Sequence, residues 1–202
     1  MNNAIIEKAT KWTQAPFDID TQNTVQQLIN SQESELDESF YKDLEFGTGG
    51  LRGIMGVGTN RINKYTIGQT TQGLANYIKQ SFPGKELKVA IAHDSRNNSR
   101  FFSETAASVL SANGIKVFLF EDLRPTPELS FAVRELGCNA GIVITASHNP
   151  KEYNGYKVYW NDGGQLVPPH DNGVIQEVRK VEFNNIQFDE QNSNVEIIGE
   201  EL

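Results

Sequence analysis

Cysteine is almost absent from this 202-residue chain: Cys138 stands alone, which rules out an internal disulfide and suits a reducing compartment. The three histidines, His93, His148 and His170, lack the spacing of zinc ligands, so a metal site made by this chain alone is not expected. No apolar run is long enough to cross a bilayer, and the opening MNNAIIEKATKW has no uninterrupted apolar stretch of the signal-peptide kind. A cytoplasmic protein without a membrane partner is the expectation. A dense basic patch is lacking too, which argues against nucleic acid as a partner.

Three familiar site signatures are also missing. The glycine-rich stretch 47–58, GTGGLRGIMGVG, fails the dinucleotide pattern G-x-G-x-x-G because Arg52 stands where the third glycine belongs. No Gly-Lys-Ser/Thr follows it, so it is not a P-loop. Ser147 is flanked by Ala146 and His148, so the G-x-S-x-G elbow of serine hydrolases is absent.

What the chain does have is an uneven charge. Residues 1–45 hold nine acids and three bases, 46–180 eleven acids and fifteen bases, and 181–202 six acids and no base. A mildly basic middle between acidic ends fits a small anionic ligand held locally; ordinary surface solvation explains it equally well.

Residues 4–45 read as helical, with spaced apolar positions and no glycine. Asn63 can cap a helix over KYTIGQTTQGLANYIKQSF that stops at Pro83-Gly84. From residue 87 strands and helices alternate: a strand in ELKVAIAHD, a helix in SRFFSETAASVLSANG closed by Gly114, a strand in IKVFLF, the helix PELSFAVRELG, then the strand NAGIVIT. Pro125-Thr126-Pro127 makes a rigid lead-in to the second of these helices. Such alternation predicts a βαβαβ unit and hence an α/β fold with a largely parallel sheet. YNGYKVYWNDGGQLVPP reads as a hairpin strand between Asn-Gly and Asp-Gly turns, and a last helix covers about HDNGVIQEVRKV.

Ligands of open α/β sheets gather at the carboxyl ends of the strands, where two loops fall here: 93–98 and 145–150. The second, TASHNP, brings together Thr145, the hydroxyl of Ser147, the imidazole of His148 and the carboxamide of Asn149, with Pro150 to keep them out of a helix. A turn at Asn154-Gly155 would fold Lys157 back toward the serine. Lys157 and Arg52 could then surround a phosphoryl group, which asks for positioning and cations more than for covalent machinery. A capped polar turn and a flexible glycine linker are the plainer readings of the two segments. His93, Asp94 and Arg96 read as a supporting ion-pair cluster.

Four segments in order, FGTGGLRGIMGVGTNRIN, AHDSRNNS, RPTPELSFAV and TASHNPKEYNGYK, resemble the α-D-phosphohexomutases, the phosphoglucomutase and phosphomannomutase family. The resemblance covers about residues 40–180 and implies a three-layer α/β/α sandwich with a largely parallel, mixed sheet, preceded by a helical extension. It implies that residues 46–181 form the family's first domain, with 1–45 as a helical extension packed on it and 182–202 as an acidic linker toward a second domain. By the same resemblance Ser147 carries a phosphate whose oxygen binds Mg²⁺. Lys157 and Arg52 hold the phosphoryl group and assist proton transfer, and His148 is a polar neighbour. The implied activity moves a phosphoryl group between the C1 and C6 hydroxyls of glucose or mannose phosphate, with glucose 1,6-bisphosphate as activator. The long leader and GTNRIN point to the branch that also contains phosphopentomutases and glucose-1,6-bisphosphate synthases. No D-G-D-x-D-R metal loop occurs in these residues, so the chain by itself is not expected to turn over substrate. A non-catalytic module that binds sugar phosphate is the alternative.

Overall fold

The computed structural model describes residues 3–31, 34–47, 49–200 and 202. Its centre is a six-stranded mixed sheet in the order β1-β5-β4-β2-β3-β6. The strands are β1 (Gly50–Ile54), β2 (Lys88–His93), β3 (Lys116–Phe120), β4 (Ala140–Ile144), β5 (Tyr153–Trp160) and β6 (Val195–Ile198). β2 runs parallel to β3 and β4, and β3 parallel to β6, whereas β5 is antiparallel to both β4 and β1. The buried runs VAIA in β2 and AGIVI in β4 are what a strand covered on both faces requires.

Helices α4 (Lys64–Ser81), α5 (Ser99–Ala112) and α7 (His170–Lys180) cover one face, packing on Ile91, Ile142, Tyr156 and Val158. On the other, α6 (Thr126–Glu135) lies over Ala90, Ala92 and Val143. Helix, sheet and helix make the expected three layers. The start of α4 is fixed by a capping box: the Asn63 side chain accepts from the Tyr65 and Thr66 amides, and Thr66 answers to the Asn63 amide. Gly114 closes α5 at φ 72°. No helix among the described residues is long and apolar enough to cross a membrane.

The leading stretch is helical but interrupted. Pro16 cannot continue a helix, and the chain divides into α1 (Asn3–Thr10), a 3-10 turn at Lys11–Thr13, α2 (Ile19–Ser31) and α3 (Ser34–Phe40). These helices are fastened by Trp12, whose ring stacks on Phe17 at 4.2 Å and meets Phe40, Tyr65 and Phe183 edge-on at 5.3–5.7 Å. Tyr65 belongs to α4 and Phe183 follows α7, so one ring joins three parts of the chain.

Three local expectations turn out differently. The Asn154-Gly155 pair lies inside β5 rather than in a turn. Asn154 is fully buried, donating to the Asn97 carbonyl and the Ser99 hydroxyl. Gly155 sits between β1 and β4, where an added Cβ would stand 2.7 Å from the Thr145 carbonyl and 2.8 Å from that of Leu51. The hairpin after β5 is reduced to a single bridge, Tyr159 to Gln165, because β5 already has a partner on each side. The acidic stretch expected as a linker contributes β6, which pairs with β3 and is tied down by Asp189 accepting from the Ser111 hydroxyl at 2.6 Å.

Gly155 gives the first prediction. Gly155→Ala should cost about 1–3 kcal/mol in urea unfolding, since the new methyl group must displace backbone rather than a side chain. A loss below about 0.5 kcal/mol would show that the three strands can spread at that point.

Candidate functional site

The chain leaves the carboxyl end of β4 at Ile144 and turns through residues 145–152 before returning as β5. Ser147 occupies the left-handed region at φ 55°, unusual for a residue with a Cβ. Its amide donates to the Thr145 hydroxyl (2.9 Å), and the Asn149 amide donates to the Ala146 carbonyl (3.1 Å). The side chain of Ser147 is exposed, and Lys157 Nζ lies 2.9 Å from its Oγ.

Side chains alternate along a strand, so Lys157 points away from the face that buries Tyr156 and Val158. Arg52 in β1 pairs with Gly155 and shares that opposite face, where Ile54 beside it is 37% exposed. Arg52 Nη1 donates to Asn149 Oδ1 at 2.8 Å, joining β1 to the serine loop. The glycine-rich stretch, read as a flexible linker or as the source of an arginine beside a phosphoryl group, forms at Gly50–Ile54 an edge strand that presents that arginine.

Burial lowers the Lys157 pKa from its usual 10.5, and the Arg52 charge lowers it further, while Asp94 acts against them. Two cations on one face, with neither held at bonding distance by a carboxylate among the described residues, make a place that attracts an anion. His148 is exposed and has no hydrogen-bond partner among the described residues, so the loop does not bring it onto Ser147 or Lys157.

The expected supporting cluster divides. His93 is buried, its Nδ1 3.1 Å from the Asp94 carbonyl, and it alternates with Ile91 onto the α5 side of the sheet. It is therefore behind the site, not in it. Asp94 accepts from the Arg96 amide at 3.0 Å and from the Ser99 hydroxyl at 2.7 Å. Arg96 reaches the serine loop itself, through bonds to the carbonyls of Ser147, Asn149, Pro150 and Tyr153. Sequence reasoning missed these contacts and the Arg52–Asn149 pair. The available signal was an arginine, with its five donors, in a loop beside the serine loop.

A cleft of about 830 Å³ lies elsewhere, along the seam between the N-terminal helices and α4 and α7, with Trp12, Leu51, Val178 and Phe183 among its walls. Size does not decide the matter; the hydroxyl with an ammonium at bonding distance is at the serine loop. Among the described residues no three His, Cys, Asp or Glu side chains come together as a metal cage. Ser147, or a phosphate on it, could supply one ligand.

Residues 43–185 match the family model described as phosphoglucomutase/phosphomannomutase, alpha/beta/alpha domain I. A Mus musculus protein named phosphopentomutase is 43% identical over 178 residues, covering 84% of this chain and 28% of its own length. A Staphylococcus epidermidis protein named phosphoglucomutase is 44% identical over 151 residues, which is 74% of this chain and 27% of that protein. A Thermus thermophilus crystal structure, described as that of a candidate phosphomannomutase, superposes with a TM-score of 0.64 at 25% identity, over 79% of this chain and 33% of that one. The chain thus spans less than a third of the length of either curated relative.

Proposed function

Since the chain belongs to the phosphoglucomutase/phosphomannomutase family, we propose that Ser147 is the phosphate-carrying serine of a phosphosugar mutase. The observation that carries the reading is the 2.9 Å contact between Lys157 Nζ and Ser147 Oγ on an otherwise exposed serine. In the proposed step Ser147 Oγ attacks a phosphoryl group of a sugar bisphosphate, the bond from phosphorus to the sugar oxygen breaks, and that oxygen takes a proton from water as the sugar hydroxyl leaves. The serine proton passes to Lys157 in its neutral form, and Arg52 faces the transferring oxygens with its planar donors. Run in reverse on a monophosphate, the same step returns the phosphate to a different hydroxyl. Magnesium would add positive charge beside the phosphoryl oxygens, with Ser147 or its phosphate as one of its ligands.

The proposed substrate is a hexose phosphate, glucose or mannose, exchanged between C1 and C6. A pentose phosphate is the second reading, because the alignment with the phosphopentomutase reaches further over the chain than that with the phosphoglucomutase. A panel of hexose and pentose 1-phosphates, given to the intact protein with magnesium and a bisphosphate, separates the two. Peptide mapping of the protein as purified tests the serine. A phosphate found only on another residue would sink the proposal.

Lys157 gives a pH dependence. Below its lowered pKa the ammonium can only donate to Ser147; above it the amine accepts the proton. Transfer of phosphate to Ser147 should therefore rise with pH through a midpoint below 10.5. Lys157→Met should remove that limb and slow transfer about 10²–10⁴-fold. An unchanged profile in the variant would assign the base to another group.

A further inference from the structure

We propose that Arg96 is the positioning residue of the serine loop, gathering three of its backbone carbonyls and that of Tyr153 at the start of β5, and thereby holding Ser147 in the conformation that presents its hydroxyl to Lys157. The catalytic part of this inference rests on the phosphoryl-transfer reading; the conformational part does not.

A guanidinium has five N–H donors in one plane, and here each has a direction assigned. Nη1 donates to the carbonyls of Pro150 (2.9 Å) and Tyr153 (3.1 Å), and Nη2 to those of Ser147 (2.8 Å) and Asn149 (2.6 Å). Nε faces Asp94 Oδ2 at 3.5 Å. Carbonyl dipoles aimed at one point repel one another unless a cation sits there, so the loop's shape depends on this charge. That shape includes Ser147 at φ 55°, which costs an L-residue about 1–2 kcal/mol and persists only where its surroundings over-determine it. Peptide planarity adds a consequence. With the Ser147 and Pro150 carbonyls drawn to Arg96, the N–H groups of His148 and Lys151 point the opposite way within their peptide planes, away from Arg96. Neither has a hydrogen-bond partner among the described residues, which leaves both for an anion carried on Ser147. Arg96 itself is mostly buried, so its charge acts through the loop and not by touching substrate.

The test compares Arg96→Met and Arg96→Lys with the unaltered intact protein, by amide hydrogen exchange and by the rate of phosphate transfer from a hexose 1,6-bisphosphate to Ser147. In Arg96→Met, peptides spanning 145–153 should exchange about tenfold faster while those of β2 and β4 keep their protection. Transfer should slow about 100-fold with little change in the KM for bisphosphate, because misplacement affects the reacting geometry more than binding. Arg96→Lys, a point charge with three donors, should be intermediate in both. A loop as protected as in the unaltered protein, or an unchanged transfer rate, overturns the proposal. Should Arg96→Met fail to fold, loop exchange in Arg96→Lys decides it by the same criterion. If the unaltered protein accepts no phosphate, the phosphoryl-transfer reading fails, and loop exchange still decides what Arg96 does.

Discussion

Ser147→Ala should leave the protein folded and unable to take up phosphate. The side chain is exposed and its hydroxyl has Lys157 as its partner, so truncation removes one hydrogen bond and no packing. Alanine suffers about the same penalty as serine at φ 55°, and the change in stability should stay within about 0.5 kcal/mol. Removing a covalent nucleophile, by contrast, typically costs about 10⁶ in turnover. Intact-mass measurement after incubation with a hexose bisphosphate should show one added phosphate on the unaltered protein and none on the variant. Equal labelling of both would move the phosphate to another residue, and full turnover by the variant would remove Ser147 from the chemistry.

The second large effect concerns stability. Trp12→Ala should destabilise the protein by about 3–5 kcal/mol, the range for deleting a large buried aromatic. Trp12 is 2% exposed and contacts Phe17, Phe40, Tyr65 and Phe183, so a cavity there cannot be filled from one side. Denaturant unfolding measures the loss, and limited proteolysis should cut within residues 3–40 first. The alternative is that these helices are an appendage whose loosening leaves the sheet untouched. A midpoint for global unfolding that does not move would establish it.

Much of this arrangement is legible in the sequence where the determinants are local. The buried runs of β2, β3 and β4, the cap at Asn63 and the stop at Gly114 each need only neighbouring residues to be recognised. Ser147 and Lys157 are visible as a hydroxyl and an amine ten residues apart, and they do meet. What escapes is decided by distant partners. Gly50–Ile54 is a strand only because β5 lies beside it, about a hundred positions later. Asn154-Gly155 carries the composition of a turn, yet burial against Asn97 and Ser99 and the narrow space beside Leu51 hold it extended. Arg96 reads as one half of an ion pair with Asp94, while its principal bonds go to backbone 51–57 residues away. Backbone carbonyls have no signature in a sequence.

β5 connects these features. It supplies Lys157 to the serine, the Tyr153 carbonyl to Arg96, Asn154 to the loop after β2 and the gap at Gly155 that admits its neighbours. Because a strand's side chains alternate, sliding β5 by one residue against β4 would exchange its two faces. The ammonium of Lys157 would then be driven among the apolar side chains beneath α4, and the ring of Tyr156 would be turned out beside Ser147. No intermediate placement offers a weakened version of the site. Assembly of the reactive centre is thereby made all-or-none, and a chain that has paired this strand wrongly carries a misplaced charge in its own core as the mark of the error.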